Sequence, residues 1–289
     1  MSGLGKRFIQ AGYTEPKPLI LVNGKPIIEY VVSMFPGEND FIFICNNEHL
    51  ENTNMREVLQ RIKPTGKIFG LDTHNQGPVY AVSQIFDQID DNEDVFVSYC
   101  DYFMDFDLNS AISRIKEGNF VGAVPAYTGF HPHLLHRNLY GGILANNDGV
   151  MLDYKEKHSF TEDPMDSHHS VGAYYFINGK DFKKYSNELL ELDIEVNGEK
   201  YTSMIYYLYL RDGHKIYVPI AEKFMQWGTP EDLEEFEAWS RYILGRLGKE
   251  KGETSIPKER EHLVKIPHEE GTENFIKSKN YWEEYFKNI

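Results

Sequence analysis

Apolar runs alternate with segments of helical composition through the first half of the chain. Runs rich in β-branched and aromatic residues lie at 41–45, 67–71, 94–99 and 120–126, and helical segments separate them. Strands joined by helices pair in parallel, because a right-handed crossover returns the chain to the same edge of the sheet. The pattern therefore predicts an α/β protein with a doubly wound, mostly parallel sheet, whose ligands bind where the strands end.

A glycine-rich loop with several cations opens the chain. It consists of Gly3, Leu4, Gly5, Lys6 and Arg7, and Lys17 follows shortly after. Glycines let backbone amides approach a phosphate closely, and the cations balance its charge. The loop is therefore predicted to bind nucleotide phosphates, the alternative being a plain turn with solvated cations. Its residue order fits neither the Walker motif nor the dinucleotide fingerprint.

Four further segments extend this loop into a longer pattern. They are Ala-Gly-Tyr at 11–13, Pro-Lys-Pro-Leu-Ile at 16–20, Asn-Gly-Lys-Pro at 23–26 and Gly-Thr-Pro-Glu-Asp-Leu at 228–233. Together they resemble the signature of the sugar-phosphate nucleotidyltransferase family, over a stretch from Gly3 to about Trp239. The resemblance implies a Rossmann-like nucleotidyltransferase fold with a smaller acceptor-binding β region and a helical C-terminal tail. It also implies that Arg7 and Lys17 are catalytic cations that hold the nucleotide phosphates.

The acid after the third apolar run is the predicted metal ligand. The run from Asp94 leads to Asp101 at the ligand-facing edge of the sheet. Mg²⁺ prefers such hard oxygen ligands, and the resembled family places its metal-binding aspartate there. The structural alternative is an aspartate that caps a turn. Many family members carry a second acid just before the glycine of Gly-Thr-Pro. This chain has Gln226 and Trp227 there, so Glu199 and Glu222 are the acids considered next.

The resemblance assigns the base and the acceptor to three other segments. Gln76, Gly77 and Pro78 match the loop that contacts the nucleotide base, although the same residues are typical of an ordinary helix start. Tyr140 with Gly141, and Glu156 with Lys157, match the acceptor-binding motifs, and Lys157 is expected to reach the acceptor phosphate as a catalytic residue. His158 replaces the proline that follows this Glu-Lys pair in the family. Glu199 is placed on the acceptor side.

The segment Phe-His-Pro-His at 130–133 contains two further candidates. His131 and His133 are predicted to lie in a loop over the acceptor pocket, where imidazoles can bind a phosphorylated group. A zinc site is the alternative, but the segment lacks cysteines and an obvious fourth ligand.

Two parts are expected in the chain: a nucleotidyltransferase domain at 1–247 and a C-terminal extension at 248–289. Trp282, Tyr285, Phe286 and Ile289 form an apolar helical stripe in the extension, predicted to dock on the domain or on a second subunit of a possible homodimer. The glycine loop should itself follow a strand. We therefore expect residues upstream of Met1 to supply a central strand in the natural protein.

Charge and composition exclude several classes of partner. Acids outnumber Lys and Arg by 45 to 30, which gives a net charge of −15 and argues against nucleic acids and anionic membranes. The two cysteines, Cys45 and Cys100, lie in apolar runs and are predicted to be free thiols in a reducing compartment. With no signal peptide and no run of transmembrane length, the sequence predicts a cytoplasmic protein.

The resemblance implies a transferase that moves a nucleoside monophosphate from an NTP to a phosphorylated small molecule and releases pyrophosphate, with Mg²⁺ as cofactor. CTP is the first NTP to test, and synthesis of a cell-surface polysaccharide or a related precursor is the expected role. Two alternatives remain. One is a nucleotide-sugar-dependent glycosyltransferase that uses Asp101, Asp105 and Asp107 as a carboxylate metal motif. The other is a non-catalytic nucleotide-sensing subunit on the same fold.

Overall fold

A computed structural model describes residues 1–136, 140–250 and 252–287. The α-helices are α1 (Lys6–Gln10), α2 (Ile27–Ser33), α3 (Asn47–Asn52), α4 (Met55–Ile62), α5 (Pro78–Ser83), α6 (Leu108–Glu117), α7 (Gly179–Glu191), α8 (Ile205–Arg211), α9 (Pro230–Arg246) and α10 (Glu273–Phe286). The strands are β1 (Leu21–Val22), β2 (Lys25–Pro26), β3 (Ile42–Asn46), β4 (Lys67–Leu71), β5 (Val95–Ser98), β6 (Tyr102–Asp105), β7 (Gly122–Ala123), β8 (Ala126–Tyr127), β9 (Gly142–Ala145), β10 (Met151–Lys155), β11 (His168–Ser170), β12 (Ala173–Phe176), β13 (Ile216–Tyr217) and β14 (Lys223–Gln226).

The strands form mixed sheets flanked by helices, which confirms the α/β class. Strands β3 and β4 pair in parallel over their full length, and β13 pairs in parallel with β7. The other pairings are antiparallel, so the sheets are more mixed than the alternation alone indicates. Strand β12, for example, lies antiparallel between β7 and β5. It follows β11 after a bend at Gly172, where φ is 89°, and no crossover helix reverses the chain before it.

Strands β3 and β5 are each paired on one edge in the part of the chain that the structure describes, β3 with β4 and β5 with β12. The first residues of the chain lie near the carboxyl end of β3, because the side-chain amide of Asn46 donates to the Ser2 carbonyl at 3.3 Å. The expected strand upstream of Met1 stays a prediction.

Most predicted elements lie within a residue or two of their predicted positions, and the exceptions have local causes. The helical segment predicted between the apolar runs at 41–45 and 67–71 is two helices, because the chain is extended at Thr53 and α4 begins only at Met55. The strand predicted at 120–126 is divided into β7 and β8. Pro125 lies between them and has no N–H to donate to a ladder. Strands β6 and β14 pair with each other beside Asp101 and were not predicted from the sequence.

The C-terminal extension packs against its own domain. The ring of Phe236 on α9 lies 5.5 Å from that of Trp282 and 5.4 Å from that of Phe286 on α10. Ile289, the last residue of the predicted stripe, lies outside the described residues. The same apolar cluster contains Phe8 from α1 and Val22 from β1, so the extension and the glycine-loop region share one core.

A second contact joins the extension to the hairpin after the glycine loop. The Gly24 amide donates to the Glu253 carbonyl at 2.8 Å, and the Leu21 amide donates to Ser255 Oγ at 2.9 Å. The extension therefore touches the N-terminal region at two places.

Both cysteines are free, as predicted: Cys45 is buried and Cys100 is half-buried. Among the described helices, none combines the length and the apolar composition that a membrane crossing requires.

Candidate active site

A cleft of about 310 Å³ lies where β5 ends, which is a volume typical of small-molecule sites. Its walls come from the start of α1, the turn at Lys17–Leu19, the segment after β5, the end of β10, the bend after β11 and the start of α9. The lining residues are Arg7, Lys17, Tyr99, Asp101, Tyr102, Tyr140, Gly141, Glu156, Lys157, Ser170, Val171, Gly172, Tyr174, Tyr201, Gly228, Thr229 and Asp232. Seven of the residues singled out from the sequence thus share one cleft.

Local structure explains how two of the predicted cations reach this cleft. Gly5 has φ 65°, a left-handed conformation that glycine adopts without strain, and α1 begins at the next residue. The buried Phe8 ring anchors α1 in the core and leaves Arg7 on the cleft side. Lys17 starts a 3-10 turn between Pro16 and Pro18, whose rings fix the backbone there. The other loop residues, Gly3, Leu4, Gly5 and Lys6, adjoin Arg7 but do not line the cleft.

Lys17 and Asp101 form an ion pair across the cleft. Lys17 Nζ lies 2.8 Å from Asp101 Oδ2, and the two side chains are 22% and 24% exposed. Burial on its own lowers the pKa of the Lys17 ammonium, but the adjacent Asp101 carboxylate outweighs burial and leaves that pKa above its ordinary value. Lys17 is therefore a charged ammonium at neutral pH. The direct contact between Lys17, the predicted phosphate cation, and Asp101, the predicted metal ligand, could not be read from the sequence.

The predicted acceptor residues also line the cleft. The Glu156 carboxylate accepts hydrogen bonds from Tyr154 Oη at 2.7 Å and from Ser203 Oγ, so its position is fixed by two neutral donors. Lys157 has φ 53°, and its ammonium lies 5.8 Å from the centre of the Tyr201 ring. A proline at 158 would disfavour this backbone conformation at Lys157, which gives a physical reason for the histidine found there.

Gly141 is required by the packing of this part of the cleft. A Cβ at Gly141 would lie 1.7 Å from Tyr154 Oη, the same hydroxyl that donates to Glu156. Any side chain at 141 would therefore displace Tyr154 and remove one of the donors that hold Glu156. Tyr140, the preceding residue, also lines the cleft.

The segment predicted to contact the nucleotide base, Gln76 to Pro78, lies outside the cleft lining. Gly77 has φ 87°, and a Cβ there would lie 2.7 Å from the backbone of Lys200. The Lys200 carbonyl also accepts from the Val79 amide, so the segment of Gln76, Gly77 and Pro78 packs against 199–200. Glu199 accepts from Tyr201 Oη at 2.7 Å. Neither this segment nor Glu199 lines the cleft, and Tyr201 connects them to it.

His131 is buried and His133 is half-buried, and both rings pack beside Tyr127. His133 Nε2 lies 2.8 Å from Tyr127 Oη, and the rings of both histidines pack against Phe224. Burial lowers the pKa of His131 to about 4, so its imidazole is neutral at physiological pH. Neither histidine lines the cleft. Within 1–136, 140–250 and 252–287 no group of three or more His, Cys, Asp or Glu side chains is arranged to hold a metal ion, which removes the zinc alternative for this part of the chain.

Three lining residues that the sequence analysis did not assign to the site lie at the start of α9. Thr229 caps the helix by accepting from the Asp232 amide at 3.2 Å, and Thr229 Oγ1 donates to Asp232 Oδ2 at 2.8 Å. A Cβ at Gly228 would lie 3.5 Å from Asp101 Oδ2 and 3.9 Å from Asp232 Oδ2. The absence of a side chain at 228 thus keeps open a space that two carboxylates border. A sequence signal for these three residues existed, because all of them belong to the Gly-Thr-Pro-Glu-Asp-Leu segment at 228–233.

These residues fit the predicted Mg²⁺ in chemistry. Asp101 and Asp232 offer hard carboxylate oxygens beside the space over Gly228, and the hydroxyl of Tyr140 lies 3.8 Å from the same Cβ position. Two protein carboxylates suit a Mg²⁺ that takes its other ligands from phosphate and water. Glu199 and Glu222, the acids considered from the sequence, do not line the cleft.

Comparison with known sequences gives one family match. Residues 1–159, more than half of the chain, match the MobA-like NTP transferase domain. No curated protein has a matching sequence.

Solved structures share the fold at low sequence identity. A nucleoside-diphosphate-sugar pyrophosphorylase from Vibrio cholerae RC9 superposes with a TM-score of 0.64 at 20% identity, covering 80% of this chain and 95% of the other. A UDP-glucose pyrophosphorylase complexed with UDP-glucose gives 0.62 at 19% identity, covering 80% and 92%. The inositol-1-phosphate CTP transferase from T. maritima gives 0.58 at 16% identity, covering 80% and 88%.

Proposed function

The chain belongs to the family of MobA-like NTP transferase domains, and on this premise we propose that it transfers a nucleoside monophosphate from an NTP to a phosphorylated small molecule, with release of pyrophosphate. One observation carries the proposal. A single cleft is lined by the cations Arg7 and Lys17, by Asp101, and by Glu156 and Lys157.

This arrangement suits the chemistry of nucleotidyl transfer. A phosphate or phosphonate oxygen of the acceptor attacks the α-phosphorus of the NTP, a new P–O bond forms, and the bond to pyrophosphate breaks. No covalent enzyme residue is needed, but two anions must be held in line and the charge that develops must be stabilised. We propose that Arg7 and Lys17 hold the NTP phosphates and that Lys157, which lines the same cleft, holds the acceptor phosphate.

Mg²⁺, when bound, would neutralise phosphate charge and orient the leaving pyrophosphate. Asp101 is the residue that would hold it, although Lys17 contacts the same carboxylate in the structure. Phosphate oxygens of the NTP offer Lys17 an alternative anionic partner. We propose that this exchange frees Asp101 when the nucleotide enters the cleft.

For the acceptor we propose a chemical class, and for the base we propose a first NTP to test. The acceptor class comprises sugar 1-phosphates, phosphorylated amino alcohols or amides, and phosphonates, and the product would serve cell-surface polysaccharide or related precursor synthesis. CTP remains the first NTP to test. The solved relatives include one in complex with UDP-glucose and one named as a CTP transferase, which is consistent with a pyrimidine nucleotide.

The glycosyltransferase alternative loses support from the geometry. It requires Asp105 and Asp107 to join Asp101 at a metal, but neither lines the cleft. Asp107 instead caps α6 by accepting from the Ser110 amide at 3.0 Å.

The test is pyrophosphate release from each of the four NTPs with Mg²⁺, with and without a panel of phosphorylated acceptors. The proposal expects release with at least one pair, dependent on both substrates. A thermal-shift screen first identifies the NTP, because a ligand that binds only the native state raises its stability. Binding of an NTP with no release for any acceptor in the panel would favour the sensing subunit. Hydrolysis or transfer from a nucleotide sugar would favour the glycosyltransferase.

A further inference from the structure

We propose that Asp232 supplies, together with Asp101, the second carboxylate for the divalent cation of this cleft. The inference rests on the proposed nucleotidyl transfer and adds a residue to it. Asp232 lies at the third position of α9, and its side chain lines the cleft.

The position of Gly228 brings the two carboxylates to one space. Asp101 Oδ2 and Asp232 Oδ2 lie 3.5 Å and 3.9 Å from the point where a Cβ of Gly228 would stand. The Trp227 amide donates to the Asp101 carbonyl at 2.7 Å, which ties the strand end of β14 to the segment that carries Asp101. The backbone therefore holds Gly228 beside Asp101, and both carboxylates border the space over this glycine.

Gln226 occupies a position where the resemblance expects the second acid, and its side chain contacts Asp232. The resemblance places a second acid at 226 or 227, and this chain has a neutral amide and a buried indole there. Gln226 Nε2 donates to Asp232 Oδ1 at 3.1 Å, and Thr229 Oγ1 donates to Oδ2 at 2.8 Å. Two neutral donors thus orient the carboxylate and leave its negative charge in place. Gln226, at the end of β14, thus supports an acid on the first turn of α9.

The ion pair between Lys17 and Asp101 makes a second acid useful. Lys17 contacts the Oδ2 atom of Asp101 that faces Gly228, so Asp101 alone offers a cation a carboxylate already shared with an ammonium. Hard divalent cations bind more tightly as the number of anionic ligands increases. Asp232 adds a second carboxylate in the same cleft.

The probe is Mn²⁺ with inorganic tripolyphosphate, which replaces Mg²⁺–NTP without requiring the base to be known. Binding is measured by the enhancement of the water-proton relaxation rate, a readout that requires no turnover. Asp232→Asn keeps the size and an acceptor oxygen for Thr229 but removes the charge. We expect it to weaken Mn²⁺–tripolyphosphate binding by about tenfold or more, with unchanged binding of metal-free tripolyphosphate by calorimetry. Glu231→Gln, an exposed neighbour in the same helical turn, is the control and should match the wild type.

Gly228→Ala provides a second variant that does not depend on the helix cap. Its backbone lies outside the left-handed region, and the added methyl would make ordinary contacts of 3.5–3.9 Å, so the fold should tolerate it. The methyl would, however, occupy the space between the carboxylates. We expect an unchanged unfolding temperature with weakened Mn²⁺–tripolyphosphate binding.

Wild-type affinity in a folded Asp232→Asn protein would overturn the inference, and so would equal losses in Asp232→Asn and Glu231→Gln. A wild type that binds no Mn²⁺–tripolyphosphate would overturn it as well. These outcomes are separate from failure of the proposed function, which is the absence of pyrophosphate release by the wild type with every NTP and acceptor.

Discussion

At the scale of single residues, the central feature is a cation and an anion that each have two potential partners. Lys17 and Asp101 neutralise each other in the structure, and they are also the residues proposed to meet phosphate and Mg²⁺. An exchange of partners would link nucleotide entry to assembly of the metal site. The following two predictions test the cation and the anion separately.

Lys17→Ala and Arg7→Ala should each lower turnover by about 100-fold or more, because each removes positive charge that stabilises the transferring phosphates. Arg7 is exposed and Lys17 is half-buried in the wall of the cleft, so neither truncation opens the apolar core and the fold should remain intact. The measurements are steady-state pyrophosphate release and circular dichroism. Lys116→Ala, an exposed lysine on α6 away from the cleft, is the matched control. Near wild-type rates in either folded cleft variant would contradict the assignment of these cations.

Asp101→Asn should abolish transfer, and the wild-type protein should bind Mg²⁺ weakly until an NTP is present. The reason is that Lys17 already contacts the carboxylate, and phosphate oxygens supply the missing ligands. Isothermal calorimetry of Mg²⁺ into the protein, with and without the NTP, measures this dependence. Tight Mg²⁺ binding without nucleotide, or an active Asp101→Asn variant, would show that the metal lies elsewhere.

At the scale of elements, the site depends on how helices begin and on what packs behind them. Helix α5 begins after Gly77, whose backbone fits closely against Lys200, and α9 begins after Gly228 at the cleft. The two glycines serve different purposes. Gly77 permits close packing in a left-handed conformation, whereas Gly228 leaves space for a ligand.

Gly77→Ala should destabilise the protein more than Gly198→Ala. Both glycines have positive φ, 87° and 78°, so alanine at either position costs about 1–3 kcal/mol of backbone strain. Only at 77 would the new methyl lie 2.7 Å from the Lys200 backbone, whereas no atom lies within 4 Å of a Cβ at 198. Urea denaturation of the two variants isolates the steric part. Equal losses of stability would mean that the 76–78 segment does not pack as described.

The contact between α9 and α10 should make stability depend on pH through Glu235. Burial, and then the charge of Asp232, raise the pKa of this carboxyl from 4.5 to about 7 in the folded protein. The folded state therefore favours the protonated form, and this contribution is fully present below pH 4.5 and is lost as the pH rises to about 7. Glu235→Gln mimics the protonated form and should lose less stability between pH 5 and 8 than the wild type. Parallel pH profiles of the two proteins would contradict this assignment.

At the scale of the whole molecule, the extension and the domain form one folded body. Residues from α1, β1, α9 and α10 share an apolar cluster, so the segment after 247 covers the back of the glycine-loop region. The predicted boundary at 247 thus marks a change in composition, while the core continues across it.

Trp282→Ala should destabilise the entire protein by about 3–5 kcal/mol, the usual cost of truncating a buried aromatic side chain. Trp282 is 4% exposed, whereas Ile276 on the same helix is 50% exposed, so Ile276→Ala is a control that should change stability little. Denaturation followed by fluorescence and by circular dichroism should give one coincident transition. Separate transitions would mean that the extension unfolds independently of the domain.

The sequence by itself determined the fold class and the positions of most elements. These depend on local properties: apolar periodicity, helix caps such as Thr229, and glycines that allow particular turns. The signature from Gly3 to Pro26 also predicted the family, which the match over 1–159 confirms.

Only the tertiary structure decided which side chains meet. The contact of Lys17 with Asp101 joins residues 84 positions apart, and the approach of Asp232 to Asp101 depends on the pairing of β6 with β14. The placement of His131 and His133 against Phe224, and of the extension against the glycine-loop region, likewise depends on long-range packing. Periodicity and motif spacing describe neighbours along the chain, and no local rule gives the distance between two loops that a folded sheet brings together.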